Sequence, residues 1–512
     1  MTQTVAVSKL TLISIKTISY GHLLRAFLFG LILPLSFAPF HIPGAAILSI
    51  AFFYAQLIDE KNPHPILNGL FFGLGYFGLG ISWVYVSIHE YGHLNSLVSA
   101  LITLFFLLYL SLFPALMAGI CKRLLHPRLP IYSCLLFSAL WVLCEYSRST
   151  LFSGFPWLLL GFGQFDAPSK HLLPIIGVFG VGFLTCFAAS LLTTFTQFKG
   201  KRRFLALTIF VFLLLSPMLL KHINWSKPKA ESLSVGVIQA NLSMRDKWDE
   251  SLFWQLLQRY KDETEKLLGT QLIVMPESAI PLPPSYVEDF LLEMHEKAQQ
   301  SGSAILLGIP KPTMIDENSY FNALISLGSA SGSYLKQHLV PFGEYIPEAL
   351  QTVSAWLAIP DANLMPGKKN QTLVKVQKHP IATLICYELA YGDLLRRQLP
   401  KAELIVSISD DGWFGHSLAM YQQLQMAQVR SLETSRYQVV ANNDGLSSVI
   451  NPQGELVASL PAFSTGVLKT TLVPTSGITP WVALGDMPIL VFCTLIVLIY
   501  AAYRIITTKL KR

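Results

Sequence analysis

Eight apolar runs, each near the length of a bilayer crossing, constrain this chain more than any other feature. They cover residues 24–40, 42–58, 66–88, 96–120, 131–146, 172–197, 204–220 and 488–503, against the ~20 residues a helix needs to span the hydrocarbon core. Only 13% of residues are charged, about half the share of an ordinary soluble domain, so lipid is one of the solvents. The first two runs are short and interrupted by Pro34, Pro39 and Pro43, and fit either full spans or a re-entrant pair.

The basic residues cluster beside these runs. Lys9, Lys16 and Arg25 stand at the first, Lys122, Arg123 and Arg128 after the fourth, Lys199, Lys201, Arg202 and Arg203 after the sixth, and Lys509, Lys511 and Arg512 at the end. With eight spans all four clusters fall on one side, as the positive-inside rule requires. Both termini are therefore expected in the cytoplasm, and residues 225–480 on the outer side. The formal charge of +7 is accounted for by orientation, and no nucleic-acid partner is expected. The basic, apolar start lacks a small-residue cleavage site after a compact core and is read as a retained anchor.

Three domains are expected: a membrane region over 1–224 with about seven transmembrane helices, an outer domain over 225–480, and a final span with a basic tail over 481–512. Within the outer domain, apolar runs predict strands over 233–240, 272–275, 304–309, 323–327, 381–385, 404–408, 439–442 and 447–450. Helices are predicted over 249–268, 286–300, 391–397 and 421–435. Most of the strands are apolar on both faces, as in sheets covered on both sides, which favours a layered α/β domain. Segments 281–286 and 355–366, proline-rich or apolar without periodicity, read as core-capping loops or as lids that dip into lipid.

Of six cysteines, Cys121, Cys134, Cys144, Cys186 and Cys493 lie in or beside apolar runs, leaving Cys386 alone in the outer domain. A lone thiol facing an oxidising compartment is a hazard unless buried or used. Cys386 also ends the buried run Ala382-Thr383-Leu384-Ile385. Glu277 likewise ends Leu272-Ile273-Val274-Met275-Pro276, and Lys336 follows Tyr334-Leu335. Ligand sites of α/β sheets gather at strand ends, and a carboxylate, an ammonium and a thiol meeting there would supply base, electrophile and nucleophile. Spacing alone leaves open that the three never meet.

The order Glu277, Lys336, Cys386, set in Met275-Pro276-Glu277-Ser278, Leu335-Lys336-Gln337-His338 through Pro341-Phe342-Gly343-Glu344, and Ile385-Cys386-Tyr387-Glu388, resembles the triad of the nitrilase superfamily. Adding Lys247-Trp248-Asp249, Asp411-Gly412-Trp413-Phe414-Gly415, Asn443-Asp444-Gly445 and, in the membrane region, Gly80-Ile81-Ser82-Trp83 and Gly154-Phe155-Pro156-Trp157, the chain resembles the apolipoprotein N-acyltransferases of Gram-negative inner membranes. The resemblance implies a polytopic membrane domain of about eight spans carrying an inserted α-β-β-α sandwich. It implies an acyl chain moved from a phospholipid such as phosphatidylethanolamine to the α-amine of a diacylated apolipoprotein, through a thioester on Cys386. Glu277 would be the general base and Lys336 the oxyanion stabiliser. Glu344 would orient Lys336 or tune Glu277, and Tyr387 and Glu388 would shape the pocket and position substrate. Trp248 would pack on an acyl chain or in the core, with Trp413 and Asn443 as wall and scaffold. Asp410 and Asp444 depart from the asparagines expected at those positions.

No metal or organic cofactor is implied. His89-Glu90-Tyr91-Gly92-His93 matches the H-E-x-x-H zinc pattern, but it follows the end of a span, contains Gly92 and has no third ligand, so it is not expected to hold zinc. Two other functions use the same residues differently: a membrane-tethered carbon–nitrogen hydrolase with water as acceptor, and a non-enzymatic lipid-binding or transport scaffold. The scaffold is disfavoured because the spans hold few of the ionisable residues that mark transport paths. Glu145 and Arg148, at the end of the fifth run, are expected as an interfacial ion pair.

Overall fold

Apolar residues in the strands fall into two sets by alternation, and each set finds a different partner. The computed structural model describes residues 20–92, 94–125, 130–195, 198–313, 319–348, 351–352 and 363–509. His93, residues 355–362 of the second proline-rich segment, and Lys9, Lys16, Arg128, Lys511 and Arg512 lie outside them.

Among the described residues, fifteen strands form the region between the apolar helices. They are β1 (Ser226–Pro228), β2 (Leu233–Gln239), β3 (Leu272–Val274), β4 (Ala304–Pro312), β5 (Tyr320–Gly328), β6 (Ala330–Ser331), β7 (Ser333–Leu335), β8 (Val374–Val376), β9 (His379–Ile385), β10 (Leu404–Ser409), β11 (Gln438–Asn442), β12 (Ser448–Ile450), β13 (Leu456–Ser459), β14 (Gly466–Leu472) and β15 (Thr475–Gly477). One sheet runs β14-β2-β3-β4-β5-β7 and the other β13-β12-β11-β10-β9-β8-β6, with β1 and β15 paired apart. Leu233, Val235, Val237, Leu272 and Val274 of the first sheet pack on Leu404, Val406, Ile408, Val439 and Ala441 of the second. Side chains alternate along a strand, so Ile238, Ile273 and Ile305 turn outward, under the helices Phe253–Glu265 and Glu288–Gln300. Ile405 and Leu384 likewise face the helix Ala419–Thr434. The expected α-β-β-α sandwich is present.

All eight expected apolar runs contain helix. Among the described residues five helices are long and apolar enough to cross a membrane, Ser96–Leu124, Pro130–Ser153, Pro168–Thr194, Arg203–Leu220 and Met487–Thr507, while Tyr20–Ser36 and Pro43–Ile58 are shorter. The third run differs from a straight span: Pro65–Gly80 and Val84–Tyr91 meet at 67°. At the break the Gly80 carbonyl accepts from Gln422 Nε2 (3.0 Å). His89, near the end of Val84–Tyr91, has Nδ1 2.9 Å from the Leu94 carbonyl and its ring against Tyr85. Helix Pro65–Gly80 packs closely on its neighbours because Gly69 and Gly75 face backbone of Pro114 and Phe27, where a Cβ would collide.

Helix Ala419–Thr434 joins the two regions. It forms part of a single apolar cluster with the membrane helices, yet it buries Gln422, Gln425, Arg430 and Glu433, and each finds partners. Trp83 and Trp157 donate their indole N–H groups to Gln422 Oε1 (3.2 and 2.6 Å). Ala38 N–H donates to Gln425 Oε1 (3.1 Å). Gly177 breaks the helix Leu173–Thr194 at φ +63°, and Val178 N–H donates to Glu433 Oε1 (3.0 Å). Glu145 and Arg148 are a correction. Among the described residues they form no ion pair with each other, because Glu145 accepts from Leu160 N–H while Arg148 donates to the Phe155 and Trp157 carbonyls.

Losing the acceptor at Gln422 would orphan two buried indole N–H groups, at about 1–3 kcal/mol each. Gln422→Leu is therefore expected to lower the unfolding midpoint of the detergent-solubilised protein by several degrees, while Trp254→Ala, at a position 73% exposed, leaves it nearly unchanged. Equal midpoints for both variants and wild type would remove Gln422 from the contacts that hold the two regions together.

Candidate active site

Three strand ends converge. β3 lies between two parallel neighbours and β9 pairs parallel with β10 and antiparallel with β8, and their carboxyl ends open on one edge of the sandwich, where a site can form. After β3 the chain turns at Pro276, and Glu277 and Ser278 lie directly on Gly308 of β4, within 2.7 Å of where a Cβ would stand. Only glycine admits that approach. Glu277 is buried, 6% exposed.

Lys336, 1% exposed, lies between two carboxylates: its Nζ donates to Glu277 Oε1 (3.2 Å) and Glu344 Oε1 (2.8 Å). Asn322 Nδ2 donates to the same two oxygens (2.7 and 3.0 Å), and Glu344 Oε2 accepts from Val340 N–H (2.8 Å). Burial opposes the Lys336 cation, but Glu277, then Glu344 and Cys386, outweigh it and hold the ammonium well above its ordinary pKa. A cation this deep is tolerated only when so compensated.

Cys386 follows β9 at φ +52°, a left-handed conformation uncommon for a residue with a Cβ and often found at functional sites. Burial pushes its thiol up, the Glu277 charge adds to that, and Lys336 pulls the other way. The resting arrangement is thus a protonated thiol beside a carboxylate and an ammonium. All six cysteines are free.

Glu388 has no exposure at all and is enclosed by donors. Its Oε2 accepts from Ile385 N–H (2.9 Å) and its Oε1 from Gln337 N–H (2.6 Å) and His338 N–H (3.1 Å), with Tyr334 Oη 3.1 Å from both oxygens. Burial first, offset by these N–H donors, pushes its carboxyl up to about 7. It ties the Cys386 strand end to the Lys336 loop and has no face left for substrate, so the expected substrate-positioning role becomes an internal clamp.

Tyr387 leads toward the membrane region. Its hydroxyl and that of Tyr391 donate to the Gly154 carbonyl (3.0 Å each), and Ser153 Oγ lies 2.6 Å from Tyr345 Oη. His338 sits against Tyr391, ring centres 3.8 Å apart. Burial, then Lys336, pushes this imidazole down to about 4, keeping it neutral near pH 7. The loop after helix Pro130–Thr150 is therefore one wall of the site, and Phe152 on it is 86% exposed. Trp413 contacts the membrane-region turn: it is 39% exposed, its carbonyl accepts from Ser87 Oγ (2.7 Å), and its ring meets Tyr91 edge-on at 5.4 Å. Trp248 is 55% exposed, which leaves the core alternative unfilled.

Asn443 is scaffold. It is fully buried, accepts from Leu242 N–H (3.1 Å) and donates to the Leu242 carbonyl (2.7 Å) and Asp410 Oδ1 (3.1 Å). Sequence reasoning missed Asn322 as a site residue, though an amide in an otherwise apolar stretch of β5 was the available signal. Pro281 and Pro283 are buried and only the end of 281–286 is exposed, with Tyr286 71% accessible, so that segment caps the core.

As a clamp, Glu388 sets the reactivity of the strand end it holds: Glu388→Ala is expected to slow covalent modification of Cys386 by an ester electrophile at least 100-fold, and Glu388→Gln, which keeps one acceptor oxygen, by about 10-fold, one lost hydrogen bond of roughly 1.4 kcal/mol. Time-resolved intact mass measures both; wild-type rates in the Ala variant would rule the clamp out.

Two family models match the chain, the apolipoprotein N-acyltransferase N-terminal domain over residues 29–191 and carbon-nitrogen hydrolase over 234–479. Similar proteins include apolipoprotein N-acyltransferases of Methylococcus capsulatus, 37% identical over 93% of this chain and 95% of that one, and of Coxiella burnetii, 36% identical over 91% and 96%. That of Pseudomonas syringae pv. tomato is 35% identical over 90% and 93%. Among solved structures, a carbon-nitrogen hydrolase from Helicobacter pylori aligns at 14% identity and a TM-score of 0.36, over 47% of this chain and 88% of that one. The identity extends through the membrane region as well as the sandwich, and the chain belongs to the apolipoprotein N-acyltransferase family.

Proposed function

We propose that this membrane protein N-acylates the α-amine of the N-terminal diacylglyceryl-cysteine of apolipoproteins, with a phospholipid, phosphatidylethanolamine foremost, as acyl donor. The reading is carried by one observation: the ion-paired Glu277–Lys336–Glu344 set acts through Glu277 and Lys336 on a left-handed cysteine whose next residue, Tyr387, bonds to a membrane-helix loop.

In the first half-reaction Glu277 takes the Cys386 proton and the thiolate attacks the phospholipid ester carbonyl. Lys336 Nζ and the backbone N–H after Cys386 stabilise the oxyanion. Collapse breaks the C–O bond, and the lysophospholipid leaves with the proton from Glu277. In the second, the free α-amine attacks the thioester carbonyl and gives its proton to Glu277. The C–N bond forms, the C–S bond breaks, and the proton returns to Cys386. Thioester aminolysis is downhill, so no nucleotide and no cofactor enters. Glu344 holds Lys336 where the oxyanion forms.

Both substrates carry acyl chains that cost about 0.8 kcal/mol per CH2 to expose, so the site has to open at the bilayer surface. The loop with exposed Phe152 and the edge with Trp413 suit that placement. With the basic clusters inside, the protein sits in a bacterial inner membrane with residues 225–480 in the periplasm and both termini in the cytoplasm. The membrane domain covers 1–224 and the last span and tail 481–512. A hydrolase with a soluble amide substrate would have no use for walls made of membrane-region loops.

Incubation of purified protein with phosphatidylethanolamine and a diacylated lipopeptide is expected to yield an N-acyl peptide. Cys386→Ala and Glu277→Ala should abolish it, and Cys144→Ala or Cys186→Ala should leave it near wild type. Free acid as the product would favour the hydrolase; equal loss in all four variants would mean that folding, not chemistry, is being measured.

A further inference from the structure

Glu277 is held from below as well as from the side of Lys336. Its Oε2 accepts from the backbone N–H of Asp410 (3.1 Å), and its own carbonyl accepts from Lys247 Nζ (3.1 Å). Lys247 and Asp410 are ion-paired to each other, with 0% and 3% of their side chains exposed. Asp410 Oδ1 also accepts from Gly412 N–H (3.2 Å) and Asn443 Nδ2 (3.1 Å). Lys247 reaches this depth because the single turn Met244–Lys247 begins at Ser243, whose hydroxyl accepts from Asp246 N–H (3.1 Å).

Two full charges buried this deeply cost several kcal/mol each to desolvate and hold together only as a pair. Together they grip Glu277 at its carboxylate and at its main chain, and their charges cancel beside it. Removing either partner leaves one uncompensated charge within reach of the base.

We infer that Lys247 and Asp410 are positioning residues whose buried pair fixes both the orientation of Glu277 and the pH at which it can accept a proton. The inference rests on the reading of Glu277 as general base. The other groups around it are Lys336 and Glu344 from the loop after β7, Cys386 at the end of β9, Asp411 after β10 and Asp444 after β11. Tyr260 from helix Phe253–Glu265 faces Asp410, and Tyr91 from the membrane-region turn faces Asp444 and Asp410. Burial, with Asp410 adding, pushes Asp411 up to about 7 and Asp444 up to about 8. The Lys247–Asp410 pair is therefore the charge under the base that a single substitution can unbalance in either direction.

The signs are opposite for the two partners. Asp410→Asn leaves the Lys247 cation, which favours the Glu277 carboxylate, so the acid limb of the rate should move to lower pH. Lys247→Met leaves the Asp410 anion, which disfavours it, so the limb should move to higher pH. An unpaired charge a few ångströms away is worth about one pH unit or more. The experiment is the pH dependence of kcat/KM for acylation of the full-length protein by phosphatidylethanolamine in mixed micelles, for wild type, Asp410→Asn, Lys247→Met and the double variant. Opposite displacements, with the double variant back at the wild-type position, are expected. Reduced rates with an unmoved limb, or displacement in one common direction, overturn the inference and leave a purely structural pair. If Lys247→Met does not fold, Asp410→Asn carries the test alone, since an unmoved limb there is sufficient refutation. Glu277→Gln separates the premise: if it acylates at the wild-type rate, the base assignment fails whatever the other variants do.

Discussion

A buried ammonium between two carboxylates is the constraint on which the rest of the site depends. Lys336 cannot stay charged at 1% exposure without Glu277 and Glu344 beside it. Asn322 bridges both acids, and the Val340 N–H fixes the second. This arrangement leaves the Cys386 proton as the mobile one. The thiol is pushed up by burial and by Glu277, so in the proposed mechanism proton transfer waits for an electrophile and is not spent on a standing thiolate.

The second constraint is where this set has to work. The seven-stranded sheet has one face against the other sheet and the other against helix Ala419–Thr434, which shares its apolar cluster with the membrane helices. Polar side chains on that helix accept hydrogen bonds from Trp83, Trp157, Ala38 and Val178. Docking through specific, buried hydrogen bonds fixes orientation in a way that apolar contact alone does not, because each unmade bond carries a desolvation cost. The segment that follows Cys386 is thereby held against the loop at Ser153 and Gly154, the side from which the proposed lipid substrates would enter.

Much of this was legible in the sequence, for identifiable reasons. β2, β3, β9, β10 and β11 are buried on both faces, and their continuous apolar runs appear within a residue or two of where they were read. β14 went unread although it spans Gly466–Leu472: its outer face is polar and its partner β2 lies far back in the chain, so it carries no local signal. The triad was visible as polar residues ending apolar runs, but Lys247 was not. A lysine among Arg245, Asp246 and Asp249 looks solvated until the fold encloses it. Gln422 was hidden in the same way, since nothing local says that a helical glutamine meets two distant tryptophans. The bend after Gly80 was also invisible, because the group that satisfies the carbonyl freed there is that same distant glutamine.

The central claim is that Cys386 carries the acyl chain as a thioester between two substrates. Intact mass spectrometry of the purified protein after exposure to phosphatidylethanolamine, repeated after addition of a diacylated lipopeptide, tests it most directly. The account predicts a hydroxylamine-sensitive acyl adduct on the wild-type protein, absent from Cys386→Ala, that disappears as the peptide gains the same mass. Transfer to the peptide with no adduct at any time point, or an adduct that persists in Cys386→Ala, would contradict it.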